Sequence, residues 1–153
     1  MDTIRILIVD ENPIFRRILN QFLHDEYPNQ VAVVGTVTRF ELAPVKAQGL
    51  QPEVIIVDNG LPGLMGLFCV ARLRALCPEV GIIVLTLQNQ PDYRKSAFEA
   101  GADDFIQKDD VFTDLVPAIE RIVKVRSQNA EERQSQAKAI AAIDEPTKFQ
   151  PVC

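Results

Sequence analysis

The sequence predicts an α/β fold in which a parallel sheet is covered by helices on both faces. Short apolar runs rich in β-branched residues recur along the chain, and segments with helical apolar spacing separate them. The runs show little polar alternation, which is typical of strands buried on both faces. Strands that alternate with helices in this way form one doubly wound parallel sheet. The predicted strands are residues 4–9, 31–37, 54–58, 81–86 and 105–108.

The first helix is predicted to begin where Asn12 can cap it and Pro13 suits the first turn. Its apolar stripe comprises Ile14, Ile18 and Phe22 together with Phe15, Leu19 and Leu23.

The remaining helices are bounded by proline and glycine. A weaker helix over 38–48 contains Pro44, which indicates a later start or a kink, and Gly49 is expected to end it. An apolar helix over 64–76 is followed by Pro78, and a helix over 91–100 has Gly101 at its C′ position. A last amphipathic helix reaches at least Val125, marked by Phe112, Leu115, Ile119 and Ile122.

Length and charge restrict the class of protein. A chain of 153 residues is predicted to form one domain over 1–126, followed by a C-terminal tail over 127–153. The tail could extend the last helix to about Ile143, and the final ten residues are expected to be disordered. The net charge of −5 argues against nucleic acid as the main partner. No apolar run is long enough to span a membrane and no signal peptide is evident, so we expect a cytoplasmic protein.

The segment 54–66 organises the rest of the chain, because its buried strand ends at a single carboxylate, Asp58. A Pro/Gly turn then leads into a helix, which places Asp58 at the edge where open α/β sheets bind ligands. The alternative is a β-hairpin, because Asn59-Gly60 is a strong two-residue turn signal. A hairpin requires a second alternating strand, and residues 61–66 contain proline and glycine instead.

Polar side chains gather where the other strands end. Three carboxylates that meet at one sheet edge repel one another, and one of them would be pushed towards protonation unless a cation lies among them. Oxygen ligands without His or Cys suit Mg²⁺. An Asp beside Mg²⁺, a hydroxyl and a Lys is arranged to accept a phosphoryl group. The residues at the strand ends are Asp10, Glu11, Asp58, Thr86 and Lys108.

Four motifs in order make the chain resemble the receiver domain of two-component response regulators: residues 8–13, 58–66, 84–86 and 101–108. The resemblance covers about residues 4–125. It implies a flavodoxin-like (βα)₅ fold with strand order 2-1-3-4-5, which is the usual strand order of receiver domains. It further implies a phosphoprotein that acts as a switch in a phosphorelay and is not itself an enzyme.

The resemblance also implies roles for individual residues. Asp58 corresponds to the phosphoacceptor, Thr86 to the switch hydroxyl and Lys108 to the phosphate-pairing cation. Phe105 corresponds to the switch aromatic. The Mg²⁺ ligands implied are Asp10, Glu11, Asp58 and the backbone carbonyl of Gly60.

The partners implied are a sensor histidine kinase or a histidine phosphotransfer protein as donor, and an output protein. The output protein is expected to bind the face formed by the fourth helix, the fifth strand and the fifth helix, which also allows a homodimer. We expect neither direct DNA binding nor membrane binding.

Two positions depart from the family pattern. Asp109 stands where many receivers have a cis proline. Leu87 follows the switch threonine where the family usually has a small residue, and we expect it to narrow the phosphorylation site. Gly60 and Gln88 occupy positions that tune dephosphorylation in the family.

Alternatives from other classes remain at this point. One is a pseudo-receiver that docks or dimerises without phosphorylation. Another is an enzyme, but a flavodoxin needs a phosphate-binding loop after the first strand, where Asp10 and Glu11 would repel phosphate. An aspartate-nucleophile phosphatase needs a second Asp where Asn12 stands.

Overall fold

The computed structural model describes residues 2–59, 65–87 and 91–143, and Asn59 through its backbone alone. The strands are β1 (Ile4–Val9), β2 (Val31–Val37), β3 (Val54–Asn59), β4 (Gly81–Thr86) and β5 (Asp104–Gln107). The helices are α1 (Pro13–Glu26), α2 (Ala43–Leu50), α3 (Met65–Leu76), α4 (Pro91–Ala100) and α5 (Val111–Ile143). Short 3₁₀ turns at Phe40–Leu42 and Lys108–Asp110 precede α2 and α5.

The sheet has the order β2-β1-β3-β4-β5, and every pairing is parallel. The predicted fold class and strand order are therefore confirmed. The hairpin alternative at Asn59-Gly60 is wrong, because β3 pairs in parallel with both β1 and β4.

Alternation along the strands divides the core into two layers. Leu7 and Val9 face α2, α3 and α4, whereas Ile6 and Ile8 face α1 and α5. The central strands are fully buried from Val54 to Val57. Each such side chain contributes roughly 1.5–3 kcal/mol to folding before the entropy cost is subtracted. The two layers hold β1, β3 and β4 rigidly, and these strands carry the polar residues at their carboxyl ends.

Helix α1 begins as predicted, because the Asn12 side chain accepts hydrogen bonds from the amides of Ile14 and Phe15. Four residues of its predicted apolar stripe pack on the core and two do not. Leu19 and Leu23 are buried, but Ile14 and Ile18 are 71% and 48% exposed. The stripe is wider than the strip of helix surface that one sheet face can cover.

Helix α2 differs from the prediction at both ends. The chain first forms a 3₁₀ turn and α2 begins at Ala43, which places Pro44 in the first turn, where its missing N–H costs nothing. Gly49 does not end the helix, which continues to Leu50. The left-handed residue at the end is Gln51, with φ 50°.

Helix α4 and the last helix have informative ends. Gly101 adopts φ +118° after α4, as its predicted C′ position requires. Helix α5 has 33 residues and runs to Ile143, and all its residues from Ser127 onward are exposed.

Within the described ranges, no helix combines the length and apolar character needed to cross a membrane.

Candidate functional site

The carboxyl edge of the sheet carries a polar cleft of about 300 Å³. Asp58 is the penultimate residue of β3, Asp10 follows β1, and Lys108 follows β5. The amide of Asp10 donates to the carbonyl of Val37 at 2.9 Å, so the ladder between β1 and β2 continues as far as the acid. The cleft is lined by Asp10, Glu11, Asn12, Phe40, Asp58, Leu87 and Lys108.

Asp58 and Lys108 form the electrostatic centre of the cleft. Lys108 Nζ lies 2.7 Å from Asp58 Oδ2, and the two side chains are only 8% and 1% exposed. The contact is an ion pair without the alignment of a good hydrogen bond. Burial raises the pKa of Asp58 to about 7; Asp10 also raises it, whereas Lys108 opposes the rise. The carboxylate is thus costly to ionise unless positive charge beyond that of Lys108 lies beside it.

Asp10 is the second buried acid, at 2% exposure. Its Oδ1 accepts a hydrogen bond from the amide of Asn12 at 2.8 Å. Asp10 Oδ2 and Asp58 Oδ1 accept no hydrogen bond from any residue in the described part of the chain. Buried carboxylate oxygens without a donor are expensive, and a cation in the cleft would satisfy both of them.

These oxygens fit Mg²⁺, although the described residues contain no group of three or more His, Cys, Asp or Glu gathered for a metal. Mg²⁺ keeps several waters and needs only one or two carboxylates from the protein. Asp10 and Asp58 supply those two, and Glu11 lines the same cleft. The predicted fourth ligand, the carbonyl of Gly60, lies outside the described residues, as does Gln88.

Thr86 and Phe105 do not line the cleft. Thr86 is the last residue of β4, is 2% exposed, and pairs in register with Asn59, the residue after Asp58. Phe105 is 5% exposed and belongs to the core layer under α2, α3 and α4, where the ring of Tyr93 lies 5.8 Å from it. These two predicted switch residues are therefore buried beneath the edge of the sheet, on the side of α4.

Three contacts at the site involve residues to which sequence reasoning gave no role in the cleft. Phe40 lines it from the 3₁₀ turn after β2, a position that no motif marks. Asn12 lines it as well as capping α1. The ring of Phe15 lies over Lys108, with Nζ 4.2 Å from the ring centroid. Only the placement of Phe15 on α1, close after the acids, could have suggested this contact.

His24, Cys69 and Cys77 do not line the cleft. The lone His24 is exposed on α1 and contacts Asp25 at 3.3 Å. The peptide bond between Lys108 and Asp109 is trans, as are all those in the described part of the chain. Cys69 and Cys77 are both free thiols.

Fold and site together define a doubly wound α/β protein with a buried acid–lysine pair at the carboxyl edge of its sheet. The sequence matches the response regulator receiver domain family over residues 6–120. The chain belongs to this family of two-component signalling proteins.

Among curated relatives, the chain is 35% identical over 107 residues to protein-glutamate methylesterase/protein-glutamine glutaminase 2 of Methanosarcina acetivorans. That match covers 69% of this chain and 30% of the relative. It is 30% identical over 123 residues to a nitrate/nitrite response regulator protein homolog of Haemophilus influenzae, covering 80% of this chain and 58% of that protein. The chain thus spans between about a third and just over half of these relatives.

Solved structures give the same result. The response regulator domain of Thermotoga maritima CheB aligns with a TM-score of 0.69 at 26% identity, covering 80% of this chain and 97% of that one. A response regulator from Burkholderia pseudomallei aligns with a TM-score of 0.66 at 26% identity, covering 84% and 74%. The latter structure contains a phosphorylated aspartic acid and a calcium ion.

Proposed function

We propose that the protein is a phosphorylation-dependent switch in which Asp58 accepts a phosphoryl group from a phosphohistidine. The donor is a sensor histidine kinase or a histidine phosphotransfer protein. The observation that supports this most directly is the buried Asp58, which lines an open cleft with one oxygen lacking a donor and Lys108 2.7 Å from the other. A structural neighbour that carries a phosphorylated aspartic acid supports the same chemistry.

In this mechanism a carboxylate oxygen of Asp58 attacks the phosphorus atom in line with the bond to the donor imidazole. The new P–O bond forms as the P–N bond breaks, and the electron pair of that bond returns to the imidazole nitrogen. Asp58 must be ionised to attack, and Lys108 opposes the effect of burial on its pKa. Asp10, Glu11 and Asp58 would hold Mg²⁺, which supplies neutralisation of phosphoryl charge when bound.

After transfer, Lys108 is placed to pair with a phosphoryl oxygen, because its ammonium already contacts the acceptor carboxylate. Thr86 moves to donate its hydroxyl to another phosphoryl oxygen. The ring of Phe105 follows the movement of Thr86 within the core layer under α4. Charge-assisted hydrogen bonds contribute roughly 1.5–3 kcal/mol each. Two of them approach the roughly 5.5 kcal/mol needed to invert a 1:99 equilibrium.

The surface that changes is the face of α4, β5 and α5. It carries a polar groove of about 550 Å³, bordered by Arg94 and by the ion pair between Asp104 and Arg121. An output protein or a second copy of the chain would bind there. The net charge of −5 supports a protein partner over DNA.

The test is incubation with acetyl phosphate and Mg²⁺, followed by intact mass measurement. We expect the wild-type protein to gain one phosphoryl group only when Mg²⁺ is present, and the Asp58→Asn variant to gain none. Thr86→Ala should be phosphorylated but should not change its affinity for the partner. A wild-type protein that takes up no phosphoryl group would contradict the proposal and favour a docking module that works unphosphorylated.

A further inference from the structure

The ammonium group of Lys108 lies between a carboxylate and an aromatic ring. Nζ is 2.7 Å from Asp58 Oδ2 and 4.2 Å from the centroid of the Phe15 ring. The lysine side chain is only 8% exposed, so little water shares these contacts. A cation over a ring face is attracted by the ring quadrupole, and the attraction grows as water is excluded.

The backbone of Phe15 is held by the same short segment that carries the acids. The Asn12 side chain accepts from the Phe15 amide at 3.3 Å and from the Ile14 amide at 3.0 Å. The Asn12 amide in turn donates to Asp10 Oδ1 at 2.8 Å. The backbone of Phe15 is therefore linked through two hydrogen bonds to the carboxylate of Asp10, which lines the cleft.

The Lys108 ammonium needs a neighbouring group that holds it in place, because it is a point charge on a flexible four-carbon stem. Its ion-pair partner, Asp58, changes chemically when it accepts a phosphoryl group. The ring of Phe15 remains the same before, during and after the transfer. Asp58 continues the alternation of β3 on the sheet face that packs on α1, where Phe15 lies, and Lys108 reaches it from the turn after β5.

We propose that Phe15 is a positioning residue for phosphoryl transfer, which uses its ring face to hold the Lys108 ammonium beside the acceptor carboxylate. This inference rests on the proposed phosphoacceptor role of Asp58. It adds a residue of α1 whose contribution is electrostatic and goes beyond packing.

The decisive test weakens the ring quadrupole while leaving the shape of the ring nearly unchanged. Phenylalanines with one, two and three fluorine atoms are placed at position 15, and the initial rate of phosphorylation by acetyl phosphate is measured. We expect the rate to fall stepwise with fluorination, by about threefold to thirtyfold in total. The matched control is Phe22 on the same helix, which packs against the rings of Phe112 and Tyr27. Fluorination there should leave the rate unchanged.

Two further variants separate electrostatics from packing. Phe15→Leu should slow phosphorylation, and Phe15→Tyr, which keeps a ring face, should restore most of the rate. In urea unfolding, Phe15→Leu should cost more in the wild-type background than in a Lys108→Met background. An equal cost in both backgrounds, or a rate that does not depend on fluorination, overturns the inference.

The outcomes also separate this inference from the proposed function. If the unmodified protein takes up no phosphoryl group, the phosphoacceptor role itself is wrong. If it is phosphorylated normally and the fluorinated series is flat, only the role of Phe15 is wrong.

Discussion

Replacing Asp58 by asparagine is expected to stabilise the metal-free protein at neutral pH. Burial raises the pKa of Asp58 from 3.8 to about 7 in the folded state, so the folded protein holds this proton more tightly than the unfolded chain. The stability that this provides is fully present below a pH of 3.8 and is lost as the pH rises through about 7. Because one pKa unit corresponds to about 1.4 kcal/mol, the loss is at most about 4 kcal/mol. The neutral amide of the variant avoids it.

The free energy of unfolding is measured with urea in EDTA, at about pH 5 and about pH 7.5, with circular dichroism as the probe. The advantage of Asp58→Asn over wild type should be larger at the higher pH, and added Mg²⁺ should reduce it by binding the wild-type carboxylate. Glu120→Gln, an exposed change on α5, is the control and should stay within about 0.5 kcal/mol at both pH values. If the variant is no more stable than wild type at pH 7.5 in EDTA, ionisation of the buried Asp58 carboxylate does not destabilise the folded protein, and the reasoning is refuted.

Three other predictions concern the cleft, a buried charge cluster and two glycines. Leu87 lines the cleft with 67% of its surface exposed, so Leu87→Ala should speed phosphorylation by acetyl phosphate severalfold; an unchanged rate would show that Leu87 does not narrow the site. Asp103 accepts from Arg74 at 2.8 Å, from Arg126 at 2.6 Å and from the amide of Ile82 at 2.8 Å. Asp103→Ala should therefore lower the free energy of unfolding by about 3 kcal/mol, and Asp103→Asn by less, both measured in urea. Gly101 has φ +118°, and a Cβ at this position would lie only 2.7 Å from Arg74 Cγ. Gly101→Ala should therefore lower the free energy of unfolding by about 1–3 kcal/mol. Gly49→Ala in α2 places its new Cβ where no atom lies within 4 Å, so it should raise the free energy of unfolding by about 0.5–1 kcal/mol. Equal effects at the two glycines would contradict the argument that the backbone at Gly101 is strained for alanine.

Residue patterns alone were sufficient to predict the alternating α/β class and where β1, β2, β4 and α4 lie. The reason is local: β-branched runs buried on both faces and capped helices are encoded by neighbouring residues. The motifs at the strand ends also named Asp10, Asp58 and Lys108, because parallel strands bring their carboxyl ends to one edge. The strand order came from the family resemblance, and pairing in the sheet confirmed it.

Tertiary structure decided which apolar residues are buried and which aromatic side chains border the cleft. Periodicity on α1 could not separate the buried Leu19 from the exposed Ile18, because the sheet covers only part of the helix circumference. Phe40 reaches the cleft through a turn after β2, and Phe15 meets Lys108 across a separation of more than ninety residues. Such contacts join elements that are distant in the sequence and form only when the sheet brings those elements together. The sequence determined which acids and which lysine meet at the edge of the sheet, and packing between distant elements decided what surrounds them.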